Sequence, residues 1–191
     1  LDTTVSLNVD HFPFQKVGLR WLQNNYLSKS PGNLLADDMG LGKTLQILSF
    51  VCREIEKGEI EPFLIIVPVA LIDNWLKELK KRFRPNLKLK TVRLHQSFIK
   101  QYQTRGVKIR ELDGTERQYD NIKAINAKGL RILQEANIII TNYETVRDYQ
   151  ISLGQINFRT IICDEAQKIK NPSTYVTNAV KALKGNFRII C

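Results

Sequence analysis

The segment around residue 40 combines the residue types that bind nucleotide phosphates. The apolar run Leu34-Leu35-Ala36 leads through Asp37, Asp38 and Met39 into Gly40-Leu41-Gly42-Lys43-Thr44, which an apolar helical pattern follows. Glycines let backbone N–H groups close around phosphate oxygens, and the start of the next helix adds partial positive charge. In such a loop the lysine reaches the β- and γ-phosphates and the threonine hydroxyl ligates Mg²⁺. The order strand, loop and helix favours a phosphate site over a glycine turn that only joins two elements.

A pair of acidic residues follows a second apolar run. Asp164 and Glu165 come directly after Ile161-Ile162-Cys163. Open parallel sheets bind ligands at the carboxyl ends of their strands. There Asp164 can hold Mg²⁺, usually through water, and Glu165 can orient or deprotonate the water that attacks the γ-phosphate. The alternative is a helix N-terminus, whose dipole also favours acids.

Short apolar runs predict the strands that position these residues. The runs lie at 63–67, 138–141, 160–163 and 187–190, and basic and apolar residues alternate over 88–94. Fully apolar strands that alternate with helical segments predict a parallel sheet with helices on both faces.

Two helices have clear amphipathic patterns. After Pro13, which suits a helix start, Phe14, Val17, Trp21 and Leu22 fall on one face at helical spacing. Asp73 is expected to cap a helix over 74–84, whose inward residues are Trp75, Leu76 and Leu79.

The segment 95–136 has a different character from the rest of the chain. Asp113-Gly114 lies between two short segments, 107–110 and 116–119, which predicts a β-hairpin. The pattern over 122–135 predicts a helix. The sequence stops at Cys191 directly after an apolar strand, so we expect it to be a piece of a longer protein.

Composition restricts the class of partner. The net charge of +10, from 29 basic and 19 acidic residues, favours a polyanion, most plausibly nucleic acid. No apolar run approaches the ~20 residues that a membrane span needs, so no membrane partner is expected. Cys52, Cys163 and Cys191 form no C-x-x-C pair, and His11 and His95 have no partner at ligand spacing. We therefore expect reduced core thiols rather than a cysteine- or histidine-bound metal.

The motifs taken together resemble those of a known family. Segments 37–44 and 164–171 are similar to motifs I and II of the Snf2 ATPases of helicase superfamily 2. Four further segments agree: 14–22 resembles the family's Q-type motif, 66–75 motif Ia, 140–146 motif Ib, and 187–190 the strand before motif III. Asp37 stands where the plain phosphate-loop pattern has its first glycine, a variant that helicase-like ATPases use. The acidic motif, followed by Ile-Lys-Asn-Pro, resembles the family's prokaryotic branch.

The resemblance implies a fold and an activity. The expected fold is α/β, a three-layer αβα arrangement of the RecA-like P-loop NTPase type with a mostly parallel central sheet. Residues 1–191 are expected to form the first of the family's two RecA-like lobes. The implied activity is ATP hydrolysis with ATP and Mg²⁺ as cofactors, coupled to translocation along double-stranded DNA. The family's second RecA-like lobe completes the ATP site and is absent from these residues. The isolated lobe is therefore expected to bind nucleotide weakly and to hydrolyse little of it.

The resemblance also assigns site residues. The nucleotide-binding positions are Gln15, Asp38, Met39, Gly40, Leu41, Gly42, Lys43, Thr44 and Leu45. Gln15 would contact the adenine edge, and Thr44 and Asp164 would hold Mg²⁺. Lys43, Glu165 and Gln167 are the expected catalytic residues.

Two loops are the expected contacts to DNA. They hold Ala70 and Leu71 after one strand and Thr141 and Asn142 at the end of another. Backbone amides and short side chains there can bind phosphates without contacting bases, although routine β-to-α loops look the same. Many family members have serine at the place of Ala70, so the resemblance does not imply a hydroxyl contact to DNA phosphate at this position.

Other partners and functions stay open from sequence alone. The second lobe of the parent chain and a DNA-bound protein are further expected partners. The rival functions are an RNA- or DNA-unwinding helicase of the same superfamily and a non-hydrolysing docking module that uses 95–136. The expected location is the prokaryotic cytoplasm at the nucleoid, or the nucleus of a eukaryote.

Overall fold

A six-stranded sheet forms the centre of the molecule. The computed structural model describes residues 10–38, 40–58, 60–83, 89–110 and 113–191. The strands are β1 Gly32–Leu34, β2 Phe63–Val67, β3 Thr91–Arg93, β4 Gln103–Arg110, β5 Glu116–Ile125, β6 Ile138–Asn142, β7 Asn157–Cys163 and β8 Lys184–Ile190. The central sheet has the order β1-β8-β7-β2-β6-β3, and each of its strand pairings is parallel. The predicted parallel sheet is confirmed.

Helices cover both faces of this sheet. They are α1 Pro13–Leu27, α2 Lys43–Glu56, α3 Ile72–Arg82, α4 Gln96–Tyr102, α5 Ala127–Gln134, α6 Tyr143–Asp148, α7 Gln150–Leu153 and α8 Tyr175–Ala182. Short 3₁₀ turns lie at Val69–Leu71 and Ala166–Ile169. None of the helices described is both long and apolar enough to span a membrane.

The strand β2 shows how the two faces arise. All five of its residues are buried, and successive side chains point to opposite faces of a strand. Phe63, Ile65 and Val67 pack with residues of α1, α2 and α3, whereas Leu64 and Ile66 pack with residues of α5 to α8. The result is the expected three-layer αβα arrangement, with one apolar core on each side of the sheet.

The predicted hairpin is present and is longer than the sequence indicated. Strands β4 and β5 pair antiparallel from Gln103–Ile125 to Arg110–Glu116. Residues 122–125, which we expected to open a helix, instead continue β5, and the helix α5 begins only at Ala127. Four residues are too few for the spacing of apolar side chains to separate a strand from a helix turn, and pairing with β4 decides between them.

Two further local expectations differ from the structure. The helix α3 begins at Ile72 because the 3₁₀ turn after Pro68 leads directly into it, and Asp73 does not cap it. Asp73 instead accepts a hydrogen bond of 2.7 Å from Arg93, at the end of β3. The third strand is shorter than the predicted 88–94, and Lys88 lies outside the described residues.

Helix α1 exposes most of its apolar stripe. Leu22 is buried as its spacing allows, but Phe14, Val17 and Trp21 remain exposed. The buried residues of α1 are Gln15, Leu19, Leu22 and Gln23, so the inward face is rotated relative to the stripe. The three cysteines are free thiols, as expected, and burial raises the pKa of Cys52 and Cys163 to about 12.

Candidate nucleotide site

The glycines of the loop before α2 adopt the backbone conformation that a phosphate loop requires. Gly40 and Gly42 have φ of 86° and 78°, in the left-handed region that favours glycine. Gly42 precedes the first residue of α2, Lys43, so the N-terminus of that helix opens directly onto the loop. Met39, a predicted nucleotide-binding residue, lies outside the described residues.

The Lys43 side chain bends back over the loop. Its Nζ donates to the carbonyl oxygens of Asp37, at 2.6 Å, and Asp38, at 3.4 Å. The Asp37 carboxylate in turn accepts a hydrogen bond of 3.1 Å from the buried Gln46 amide. The variant residue Asp37 therefore ties the loop to the buried Gln46 of helix α2. The Lys43 ammonium is held beside the loop by carbonyl oxygens, which are acceptors as phosphate oxygens are.

Gln15 lies against the same loop. It is buried, its Oε1 accepts from the Phe12 N–H at 3.1 Å, and its Nε2 donates to the Leu41 carbonyl at 3.2 Å. A Cβ added to Gly42 would lie 2.5 Å from Gln15 Nε2, so a larger residue does not fit between helix and loop. The structure thus brings Gln15 to the loop, where its amide bonds to backbone groups.

The acidic pair sits at the carboxyl end of β7. The Asp164 N–H donates to Ile66 of β2 at 2.9 Å, which places the residue level with the end of the neighbouring strand. Glu165 has a φ of 55°, in the left-handed region, and directly precedes the 3₁₀ turn Ala166–Ile169. Gln167 donates a hydrogen bond to Glu165 Oε2, so two of the predicted catalytic side chains are in contact.

A cleft of ≈350 Å³ brings most of the predicted residues together. Its lining consists of Gly40, Gly42, Lys43, Thr44, Leu71, Asn74, Trp75, Glu78, Asp164 and Glu165. The side chain of Leu45 is buried in the core, and Gln167 is exposed outside the lining. Site prediction from the sequence missed Asn74, Trp75 and Glu78, although the resemblance to motif Ia had marked the first two as part of a functional segment.

The residues of the cleft fit ATP with Mg²⁺. Thr44 offers a hydroxyl oxygen and Asp164 a carboxylate, the hard oxygen donors that Mg²⁺ prefers. Mg²⁺ is usually bound by one or two such groups together with water and substrate phosphates. In the described ranges no three His, Cys, Asp or Glu side chains converge as a ready-made metal site. Two oxygen donors, Thr44 and Asp164, suit a Mg²⁺ ion that binds together with the nucleotide.

The two loops predicted to contact DNA differ in accessibility. Ala70 is exposed and Leu71 is half-buried, in the 3₁₀ turn after β2. Thr141 and Asn142 are buried, and both side chains bond inside the protein: Thr141 to the Leu94 carbonyl at 2.8 Å, and Asn142 to the Thr145 N–H at 2.8 Å. In this conformation only the first loop offers free surface at the predicted residues.

The sequence profile of the SNF2-related domain matches residues 14–191. The chain belongs to the SNF2-related family. It is an Snf2-type superfamily 2 ATPase lobe, as the resemblance implied, and a solved Snf2 core has the same fold. That core, the Sulfolobus solfataricus SWI2/SNF2 ATPase core in complex with dsDNA, matches with a TM-score of 0.75 and 30% identity. The match covers 100% of this chain and 33% of the archaeal one.

Two curated proteins are similar to this chain over most of its length. The Zorya protein ZorD of Escherichia coli is 42% identical over 93% of this chain, and the putative ATP-dependent helicase/translocase YwqA of Bacillus subtilis is 34% identical over 91%. In both cases the match covers 16% of the relative's length. This SNF2-related chain therefore corresponds to about a sixth of such proteins, and ATP use is a property of the family to which it belongs.

Proposed function

We propose that this chain is the ATP-binding lobe of a motor that translocates along double-stranded DNA by hydrolysing ATP. The observation that carries the proposal is the single cleft in which Lys43, Thr44, Asp164 and Glu165 meet. These are the residue types needed to bind phosphates, hold the ion and activate water.

Each side chain has a definite part in this proposal. The loop N–H groups and Lys43 bind the phosphates, Thr44 and Asp164 hold Mg²⁺, and Glu165 orients or deprotonates the attacking water. When bound, Mg²⁺ neutralises negative charge on the phosphate oxygens. Gln167 bonds to the Glu165 carboxylate and so restricts the positions that this carboxylate can take.

Completion of the site requires the rest of the parent protein. Phosphoryl transfer needs stabilising donors around the transferred group, and the described cleft provides them from one side. The archaeal core is about three times longer than this chain, since the match covers 33% of it. We expect a second lobe to supply the remaining donors and the isolated chain to turn over little ATP.

Duplex DNA is the proposed track. Two observations support it: the similar archaeal core was solved in complex with dsDNA, and this chain has a net charge of +10. In the turn Val69–Leu71, the first two residues are exposed and Leu71 lines the nucleotide cleft. This turn is therefore the proposed contact of this lobe to DNA phosphate.

Displacement of a third strand tests this proposal in the full-length protein. A motor that moves along an intact duplex removes a triplex-forming strand without separating the two strands beneath it. We expect ATP-dependent displacement of the third strand and no duplex unwinding. Unwinding of the duplex, or activity on RNA instead, would contradict the proposal, and the Lys43→Ala variant serves as the inactive control.

A further inference from the structure

Asp164 receives hydrogen bonds from side chains of two other elements. Trp75 Nε1, on α3, donates to the carboxylate oxygen Oδ2 at 2.8 Å. The Tyr143 hydroxyl, at the start of α6, donates to the backbone oxygen of Asp164 at 2.7 Å. The other carboxylate oxygen, Oδ1, accepts the Glu165 N–H at 3.1 Å. Asp164 is therefore fixed both through its carboxylate and through its main chain.

These two donors are suited to a lasting contact. Trp75 and Tyr143 are only 3% and 2% exposed, so neither can exchange its partner for bulk water. An indole N–H only donates, and a buried one needs an acceptor. A buried tyrosine O–H likewise needs an acceptor, which the backbone oxygen of Asp164 provides.

Each of the two aromatic residues follows a loop that is connected with DNA in this account. One loop is the turn Val69–Leu71, which we propose to contact DNA, and the other holds Thr141 and Asn142, which the resemblance led us to expect at DNA. Trp75 lies one helical turn after Leu71, and Tyr143 directly follows Asn142. Strand β2 lies between β7 and β6, so the ends of these three strands are neighbours along one edge. A shift of either loop would consequently act on Asp164 through a short, specific contact.

The carboxylate keeps acceptor capacity for an ion. A carboxylate offers about four lone-pair positions. The contacts described, including a weak one of 3.5 Å from the Cys191 thiol to Oδ1, leave at least one of them free. Trp75 also lines the cleft itself, beside Lys43 and Thr44. The indole can thus orient the carboxylate without occupying the position of the ion.

We propose that Trp75 and Tyr143 are positioning residues that set the Asp164 carboxylate for Mg²⁺ and link it to the loops after β2 and β6. This inference rests on the proposed function, because it assigns a role within the same nucleotide site. Partners of a metal ligand typically change metal affinity or activity about 10- to 100-fold when they are removed.

Nucleotide affinity with and without Mg²⁺ tests the role of Trp75 in the full-length protein. Trp75→Phe keeps a ring in the core and removes the donor. By calorimetry we expect its affinity for ADP in EDTA to stay within about twofold of wild type, while the strengthening by Mg²⁺ falls about tenfold. Trp21→Phe, on the exposed face of α1, is the matched control and should change neither value.

Turnover with and without duplex DNA tests the role of Tyr143. Tyr143→Phe removes only the hydroxyl, and we expect the stimulation of ATP turnover by duplex DNA to fall at least about fivefold. Because one buried hydrogen bond is lost, its melting temperature should fall, but by no more than that of the control variant. The control is Tyr149→Phe: Tyr149 is equally buried at 4%, but its hydroxyl bonds to Gln103, away from the cleft.

Two results would overturn this inference. If Trp75→Phe loses the same ADP affinity in EDTA as in Mg²⁺, Trp75 only supports the core. If both variants keep wild-type values, the two hydrogen bonds to Asp164 do not affect Mg²⁺ or DNA stimulation. Failure of the wild-type protein to bind ADP at all would instead reject the proposed function, and that outcome is visible before any variant is made.

Discussion

Lys43 and Glu165 come from distant parts of the chain and line one cleft. The lysine opens α2, and the glutamate follows β7 in a left-handed turn. Their chemistry differs: a lysine binds phosphate charge in the ground state and in the transition state, whereas a general base acts only on the attacking water. Substitutions at the two positions should therefore have different kinetic effects.

We predict that Lys43→Ala and Glu165→Gln each lower ATP turnover by the full-length protein by at least about 100-fold. Lys43→Ala should also weaken ATP binding, while Glu165→Gln should leave it close to wild type. Steady-state kinetics and calorimetry measure the two effects. Lys77→Ala and Glu116→Gln remove exposed charges outside the cleft and are the matched controls. Turnover retained by either site variant would remove the role assigned to that residue.

Sequence patterns identified the charged residues of the site more completely than its aromatic ones. Gly-Lys-Thr and Asp-Glu are local patterns, so each could be found without knowing what lies next to it in space. The contact between Trp75 and Asp164 joins residues 89 positions apart. Nothing in the spacing of a single sequence indicates such a pair. Trp75 was expected as an inward-facing residue of its helix and as part of the motif Ia segment, but not as a partner of Asp164.

At the scale of elements, α1 and α2 meet where a helix glycine contacts a buried glutamine. A Cβ built on Gly18 would lie 2.0 Å from Gln46 Oε1. Gln46 cannot easily move aside, because it is fully buried and its amide bonds to Asp37 beside the phosphate loop. The close approach of these helices therefore depends on the absence of a side chain at residue 18.

We predict that Gly18→Ala lowers the free energy of unfolding by about 1–3 kcal/mol through overpacking. Helix propensity alone would give the opposite sign, since alanine is favoured over glycine in a helix by roughly 0.5–1 kcal/mol. Denaturant unfolding of the 191-residue chain measures the difference. Asn24→Ala, at an exposed position of the same helix, controls for propensity. A more stable Gly18→Ala variant would show that the Gln46 side chain moves aside to make room for the added methyl group.

Local sequence predicted some elements well and others only partly. The run Phe63–Val67 is apolar throughout, and only a strand covered on both faces can bury it. Helix α1 was found, but its spacing did not reveal which face is buried, because Gln15 turns inward to bond the loop. Asp73 has the right residue type for a cap, but the preceding 3₁₀ turn had already started the helix.

At the scale of the whole molecule, the parallel order of the sheet brings the candidate nucleotide site and the proposed DNA contact to one edge. The nucleotide residues follow β1 and β7, and the loops proposed or expected to face DNA follow β2 and β6. In open parallel sheets the carboxyl ends of the strands form the ligand-binding edge. Since β7, β2 and β6 are consecutive in the sheet, one lobe can contact nucleotide and DNA with a short path between them.

The most direct test of this account is ATP turnover by the full-length protein in the presence of duplex DNA, single-stranded DNA or RNA. We predict strong stimulation by duplex DNA and little by the other two. The effect should weaken steeply with salt, because phosphate contacts release counterions. Stimulation by RNA in place of duplex DNA, or turnover indifferent to every nucleic acid, would contradict the proposal of a duplex DNA translocase.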